Sequence, residues 1–136
     1  MTPEKQLRVA LARILDDNAL GVYRETGVYP TGEAAIFTTG YISTEHDDQT
    51  TLTSPPTTRD GRADALYRVQ FFTRRKGNAD TVETWAHDLS QVLDHKEYSP
   101  NILGISWAEE YSRLYVDADT QGRVSVAVNY SFRGRA

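Results

Sequence analysis

The chain has 136 residues, a net charge of −4, 39% hydrophobic residues and no cysteine. That size and apolar fraction suit one domain with a buried core and exclude wholesale disorder, while the acidic balance argues against general nucleic-acid binding. The missing thiols exclude disulfides and cysteine-held metals, and no apolar run approaches the roughly 20 residues of a membrane-spanning helix.

Glu4, Lys5 and Arg8 interrupt the first apolar residues. No signal peptide has that pattern, so synthesis and residence in a cytosol is the default expectation. Thr2-Pro3 is a helix start, with a hydroxyl cap followed by proline at the first helical position. Leu7, Leu11, Ile14 and Leu15 make an apolar stripe, which predicts a helix from Pro3 to Asp17. Leu20–Arg24 reads as a short strand, and Gly27, Pro30 and Gly32 mark turns. Ala34–Ser43 is rich in strand formers, with a bend or bulge expected at Gly40.

Glu45–Asp64 carries only one large apolar residue, Leu52, among five threonines, Pro55-Pro56 and Asp60-Gly61. The composition predicts a flexible loop at the tip of a long hairpin whose arms are Ala34–Ser43 and Ala65–Thr73. In the second arm Tyr67, Val69 and Phe71 share one face at period two. Arg74-Arg75-Lys76-Gly77 is expected to break that run, and Asn78 to cap the next helix. Val82, Trp85, Ala86, Leu89, Val92 and Leu93 form its stripe, and both helices should use the same sheet face.

Asp94–Pro100 is a polar connector. Ile102–Trp107 and Tyr111–Val116 have strand character, and Asp117–Gly122 is turn chemistry. Arg123–Phe132 alternates most cleanly, so a hairpin joins Tyr111–Val116 to Val124–Phe132. The expected fold is α+β. It has a mostly antiparallel four- to five-stranded sheet, two main helices on one face, a long hairpin-like loop, and a single domain over 1–136 with its flexible part at 45–64.

No motif for chemistry emerges. His87 and His95 lie eight apart and lack metal-binding context, and Glu109-Glu110 point to opposite faces of a strand. No phosphate-cradling loop or nucleophile elbow is present. Catalytic, cofactor and metal residues are therefore expected to be none. What remains is surface. The candidate interface residues are the basic cluster Arg74, Arg75, Lys76, the loop residues His46, Asp47, Asp48, Thr57, Arg59, Arg62, the aromatics Tyr111 and Tyr115, and the basic end Arg133, Arg135. The ordinary readings are solvation for the charged groups, the basic ones as a turn and a tail and His46-Asp47-Asp48 as a loop kept soluble, and core or sheet packing for the tyrosines.

Six features together carry a resemblance. They are the helix Pro3–Asp17, the strand Ala34–Ser43, the run Tyr67–Phe72, the helix face from Trp85-Ala86 through Leu89 to Val92-Leu93, the turn Asp119-Thr120-Gln121-Gly122-Arg123, and Val128-Asn129-Tyr130. In this organisation the chain resembles the tail terminator proteins of long-tailed bacteriophages, also known as tail completion or minor capsid proteins. The resemblance implies a small α+β subunit assembling into a ring, expected to be a homohexamer, that caps the finished tail tube and joins it to the head. The implied partners are further copies of itself, the tail tube protein and a head–tail connector protein, with DNA only in transit through the lumen and no membrane. The implied location is the virion, after synthesis in the host cytoplasm. Other readings are a neighbouring connector or completion protein, a cytosolic α+β module that binds a small ligand or protein, and an enzyme with a site assembled from distant segments.

Overall fold

Two strands of thirteen residues each form the middle of the molecule, and everything else is arranged about them. The computed structural model describes residues 1–136. Its elements are α1 (Pro3–Asp17), β1 (Ala35–Phe37), β2 (Gln49–Thr53), β3 (Thr58–Asp60), β4 (Asp64–Lys76), α2 (Ala79–Leu93), β5 (Lys96–Glu97), β6 (Trp107–Val116) and β7 (Arg123–Arg135). β4 and β7 pair antiparallel along their whole length, from Asp64 opposite Arg135 to Lys76 opposite Arg123. The sheet order is β1-β2-β4-β7-β6-β5, with β3 also on β4. All pairings are antiparallel except β1 with β2. The fold is α+β.

Period-two alternation decides which side of the sheet is covered. Tyr67, Val69 and Phe71 of β4 and Val126, Val128, Tyr130 and Phe132 of β7 are buried on one face. Their Cβ atoms all point to the same side because alternate residues do. Both helices lie on that face. Leu7, Leu11 and Leu15 of α1 join Val82, Trp85, Leu89 and Leu93 of α2 in one continuous core. Thr2 and Asn78 cap the two helices by accepting the N–H of Lys5 and Asp80. The polar side of α1 ties down neighbouring chain. Arg8 donates to Thr38 O and Ser54 Oγ at 2.7 Å each, and Lys5 Nζ donates to Thr38 Oγ1 at 2.7 Å.

Several expectations are corrected. The sheet has seven strands, not four or five. Two of the additional ones lie inside Glu45–Asp64. β2 is an interior strand with Gln49, Thr50, Thr51 and Leu52 buried. Its buried hydroxyls bond across to β4 or to backbone, as in Thr50–Thr73 at 3.0 Å and Thr51 to Tyr41 O at 2.7 Å. The partner of β4 is therefore β2, and Ala34–Ser43 is not a hairpin arm. Only Ala35–Phe37 of it is strand, and it runs parallel to β2. Leu20–Arg24 contributes a single bridge, Val22 to Ala35. Arg74-Arg75-Lys76 does not break β4 but completes it. Ile102–Ser106 is irregular, and the strand starts at Trp107. The β6–β7 hairpin forms as expected, with a bulge between Glu110 and Ser112.

Candidate functional site

The thirteen candidate residues fall into three separate places. At one end of β4 sits a cluster built on carbonyl oxygens. Arg74 donates to Ser43 O at 2.9 Å, His46 O at 2.5 Å and Asp47 O at 3.3 Å. Arg75 donates to Gln49 O and Arg74 O, and its guanidinium lies 5.9 Å from the centre of the Trp85 ring. Burial pushes both arginines below the ordinary guanidinium range, and for Arg74 the charge of Arg123 adds to the effect. His46 is buried, with Nδ1 2.9 Å from Ser43 Oγ and Nε2 3.1 Å from Pro30 O. These three side chains hold the chain between Ser43 and Gln49 against the end of β4, so none is a free docking charge. Lys76 stays exposed. Asp48 accepts its backbone N–H at 2.9 Å, and Asp47 lies 3.9 Å from both Lys76 Nζ and Arg123.

The second place is the other end of β4, roughly 40 Å away at the rise of an extended strand. Here Arg59, Arg62, Arg133 and Arg135 are exposed. Asp60 comes within 4.0 Å of Arg133, and Thr57 donates to Glu4 at 3.2 Å. This is a mixed-charge rim.

The third is the open edge of β6. β5 pairs only with Trp107 and Ala108, and the next backbone N–H, that of Glu110, is taken by Asp94 at 3.0 Å. Beyond it the outer side of Tyr111–Val116 meets no other strand of the chain. Tyr111 and Tyr115 are exposed here, and so are Leu114 and Val116, which sequence reasoning passed over. Their signal was present: Tyr111–Val116 has apolar residues at both parities, unlike β7, so neither side of this strand is purely solvent-facing. On the helix side of the edge the side chains are tied to one another. Glu110 receives Arg113 at 2.7 and 3.2 Å and lies 3.4 Å from the Tyr130 hydroxyl, while Arg113 also reaches Tyr115 Oη at 3.1 Å. Burial and the Glu110 charge push the Tyr130 phenol upward, and the hydrogen bond to Glu110 does the same to Arg113. Glu110 thus has an internal role that its place in a charged pair did not disclose.

The face of the sheet away from the helices has its own order. The strand registers align Phe37, Thr51, Phe72, Ala127 and Leu114 in one row from edge to edge. The row below it is polar, with Thr53, Gln70, Asn129 and Ser112 aligned. At the β1 end Tyr41 packs edge-on against Phe37 at 5.2 Å, and Phe37 against Tyr29 at 5.2 Å. Nowhere do three or more His, Asp or Glu side chains gather as metal ligands would. Every buried side-chain polar atom has a partner. No helix is long and apolar enough to cross a membrane.

The fold has a counterpart among solved structures. It is similar to a chain in a structure described as "Virion of native gene transfer agent (GTA) particle", with a TM-score of 0.63 over 96% of this chain and 95% of that one, at 12% identity. The likeness is one of fold and runs from end to end. No protein-family model and no curated protein matches the sequence.

Proposed function

We propose that this chain is a structural virion protein of the tail terminator type. Copies of it form a ring that caps a phage-like tail tube, ends its polymerisation and presents the face to which the head attaches. The observation that supports this is the end-to-end likeness of fold to a chain of a virion particle. The sequence resemblance to tail terminators agrees with it. The role is one of binding without catalysis. Ending a polymer needs only a layer that fits the last tube ring and offers a surface on which the next tube subunit finds no site.

Electron microscopy of this protein mixed with the tail tube protein of the same virus tests the reading. Rings at one tube end, with growth arrested, are expected, and the subunit number is read from the same images. Tubes that grow past the protein with no added density would overturn the capping role. A position elsewhere at the head–tail junction would then make it a different connector or completion protein.

A further inference from the structure

The backbone of β6 is paired along one side only. Its inner side runs along β7. On its outer side β5 takes Trp107 and Ala108, Asp94 takes the N–H of Glu110, and from Tyr111 to Val116 no strand or loop follows. About 20 Å of strand therefore presents unpaired N–H and C=O groups outward. Proteins guard such edges with free charge, proline or a covering loop. Past the bulge beside Tyr111 this edge carries apolar groups instead: Tyr111, Leu114, Tyr115 and Val116 are exposed, Leu114 by 65%. Arg113, the one basic residue of β6, is turned onto Glu110 and Tyr115 Oη. The end of the edge opens into a groove of about 340 Å³ beside the first turn of α2, with Val82, Val124, Tyr115 and Val116 on its walls. Its two charged residues are Glu83 and Asp117. Both are exposed, as is Glu109 further back on β6, and none of the three has an ion-pair partner in the chain.

We infer that the open edge of β6 receives an added strand: an extended segment of another protein, apolar at alternate residues and flanked by lysine or arginine. Free backbone groups in a row select an extended chain, because only that conformation returns a bond to each of them. Leu114 and Tyr115 are successive residues and so lie on opposite faces of the sheet. An added strand then finds an apolar neighbour on either face, and one of its side chains reaches the groove between β6 and α2. The basic flanks follow from charge. The free carboxylates of Glu83 and Asp117 at one end and Glu109 at the other are left without a cation by this chain. The same charges disfavour a second copy. Two β6 edges paired antiparallel with Arg113 on the axis would set Asp117 of each copy opposite Glu109 of the other, and like charges directly opposite destabilise a strand pair. The added strand asks nothing of the capping role, which microscopy judges separately.

Synthetic octapeptides in which valine or isoleucine alternates with threonine test this, one ended by lysines and one by glutamates, each titrated against the full chain by fluorescence anisotropy. The lysine-ended peptide is expected to bind about tenfold more tightly at low salt, with the difference shrinking as salt is raised. Glu83→Lys combined with Asp117→Lys should reverse the preference. Both side chains are exposed, and circular dichroism checks that the variant folds. Backbone N-methylation reads the strand itself. Methyl groups on alternate peptide nitrogens face the edge in one pattern and solvent in the other, so one pattern should abolish binding and the other leave it. Equal effects of the two patterns would mean that the contact is not an added strand. Absence of binding by either peptide up to about millimolar concentration, or equal binding of both, would overturn the inference. So would a dimer of the chain alone, seen by sedimentation and dissolved by Leu114→Glu, since a second copy would then hold the edge.

Discussion

Arg74 and Arg75 show how far a charged pair can be from free charge. A run of three basic residues after a strand reads as a solvated turn, yet two of the three close over the carbonyls of residues 43–49. Which oxygens the chain brings opposite a guanidinium depends on a segment with no apolar pattern, so this was not legible beforehand. Trp85 was legible. Its place on the α2 stripe predicts core packing, and it is buried with its indole N–H donating to Leu20 O at 2.9 Å. Trp85→Ala should cost about 3–5 kcal/mol, measured by chemical denaturation. A loss below about 1 kcal/mol would contradict its role in the core. Asp119 sets the β6–β7 turn. It accepts the backbone N–H of Arg123 at 3.0 Å, the Arg123 side chain at 2.8 Å and the N–H of Gln121 at 2.8 Å. These bonds, that of the Arg123 backbone first, hold its carboxyl below the ordinary value of 3.8. A lowered carboxylate stabilises the fold above its unfolded value, and that contribution is lost as pH falls through the folded one. Asp119→Asn should therefore lower the melting temperature at pH 7. The gap to the wild type should narrow as melts are taken to lower pH and the carboxylate takes up its proton, and a gap that does not depend on pH would contradict this.

Elements with a burial period were readable and elements without one were not. α1, α2, β4 and β7 each expose a regular apolar face, and each falls where that face predicts. β2 has the sequence Gln-Thr-Thr-Leu-Thr and is nevertheless interior, because its threonines bond across the sheet and Gln49 binds the Ser43 and His46 carbonyls at 2.8 and 2.7 Å. Composition misleads here: a polar segment can be buried when every polar group finds a partner. The flexibility expected of residues 45–64 should then be divided. Amide hydrogen exchange is expected to show strong protection at Gln49–Thr53 and fast exchange at Ser54–Thr57 and Gly61–Ala63. Uniformly fast exchange across the whole stretch would mean that β2 is not part of the stable sheet.

For the molecule as a whole, the α+β class was visible in the sequence, because two amphipathic helices and several alternating strands state it directly. The candidate surface was visible only in fragments. Tyr111 and Tyr115 were singled out, but the row from Phe37 to Leu114 takes one residue from each of five strands. No local pattern can reveal such a row, since it exists only once the registers are set.

β7 follows every other element in chain order, yet it lies in the middle of the sheet. During translation the ribosome therefore delivers α1, α2 and the flanking strands before the strand that joins them. Until Arg123–Arg135 has emerged, β4 has one long side without a partner, and Val126, Val128, Tyr130 and Phe132 are missing from the face on which both helices pack. The nascent chain can form helices but cannot close its core before β7 arrives. Pairing strands so distant in sequence is slow compared with local folding. Wherever many copies are synthesised together, that delay is the interval in which the open side of β4 is exposed to its neighbours.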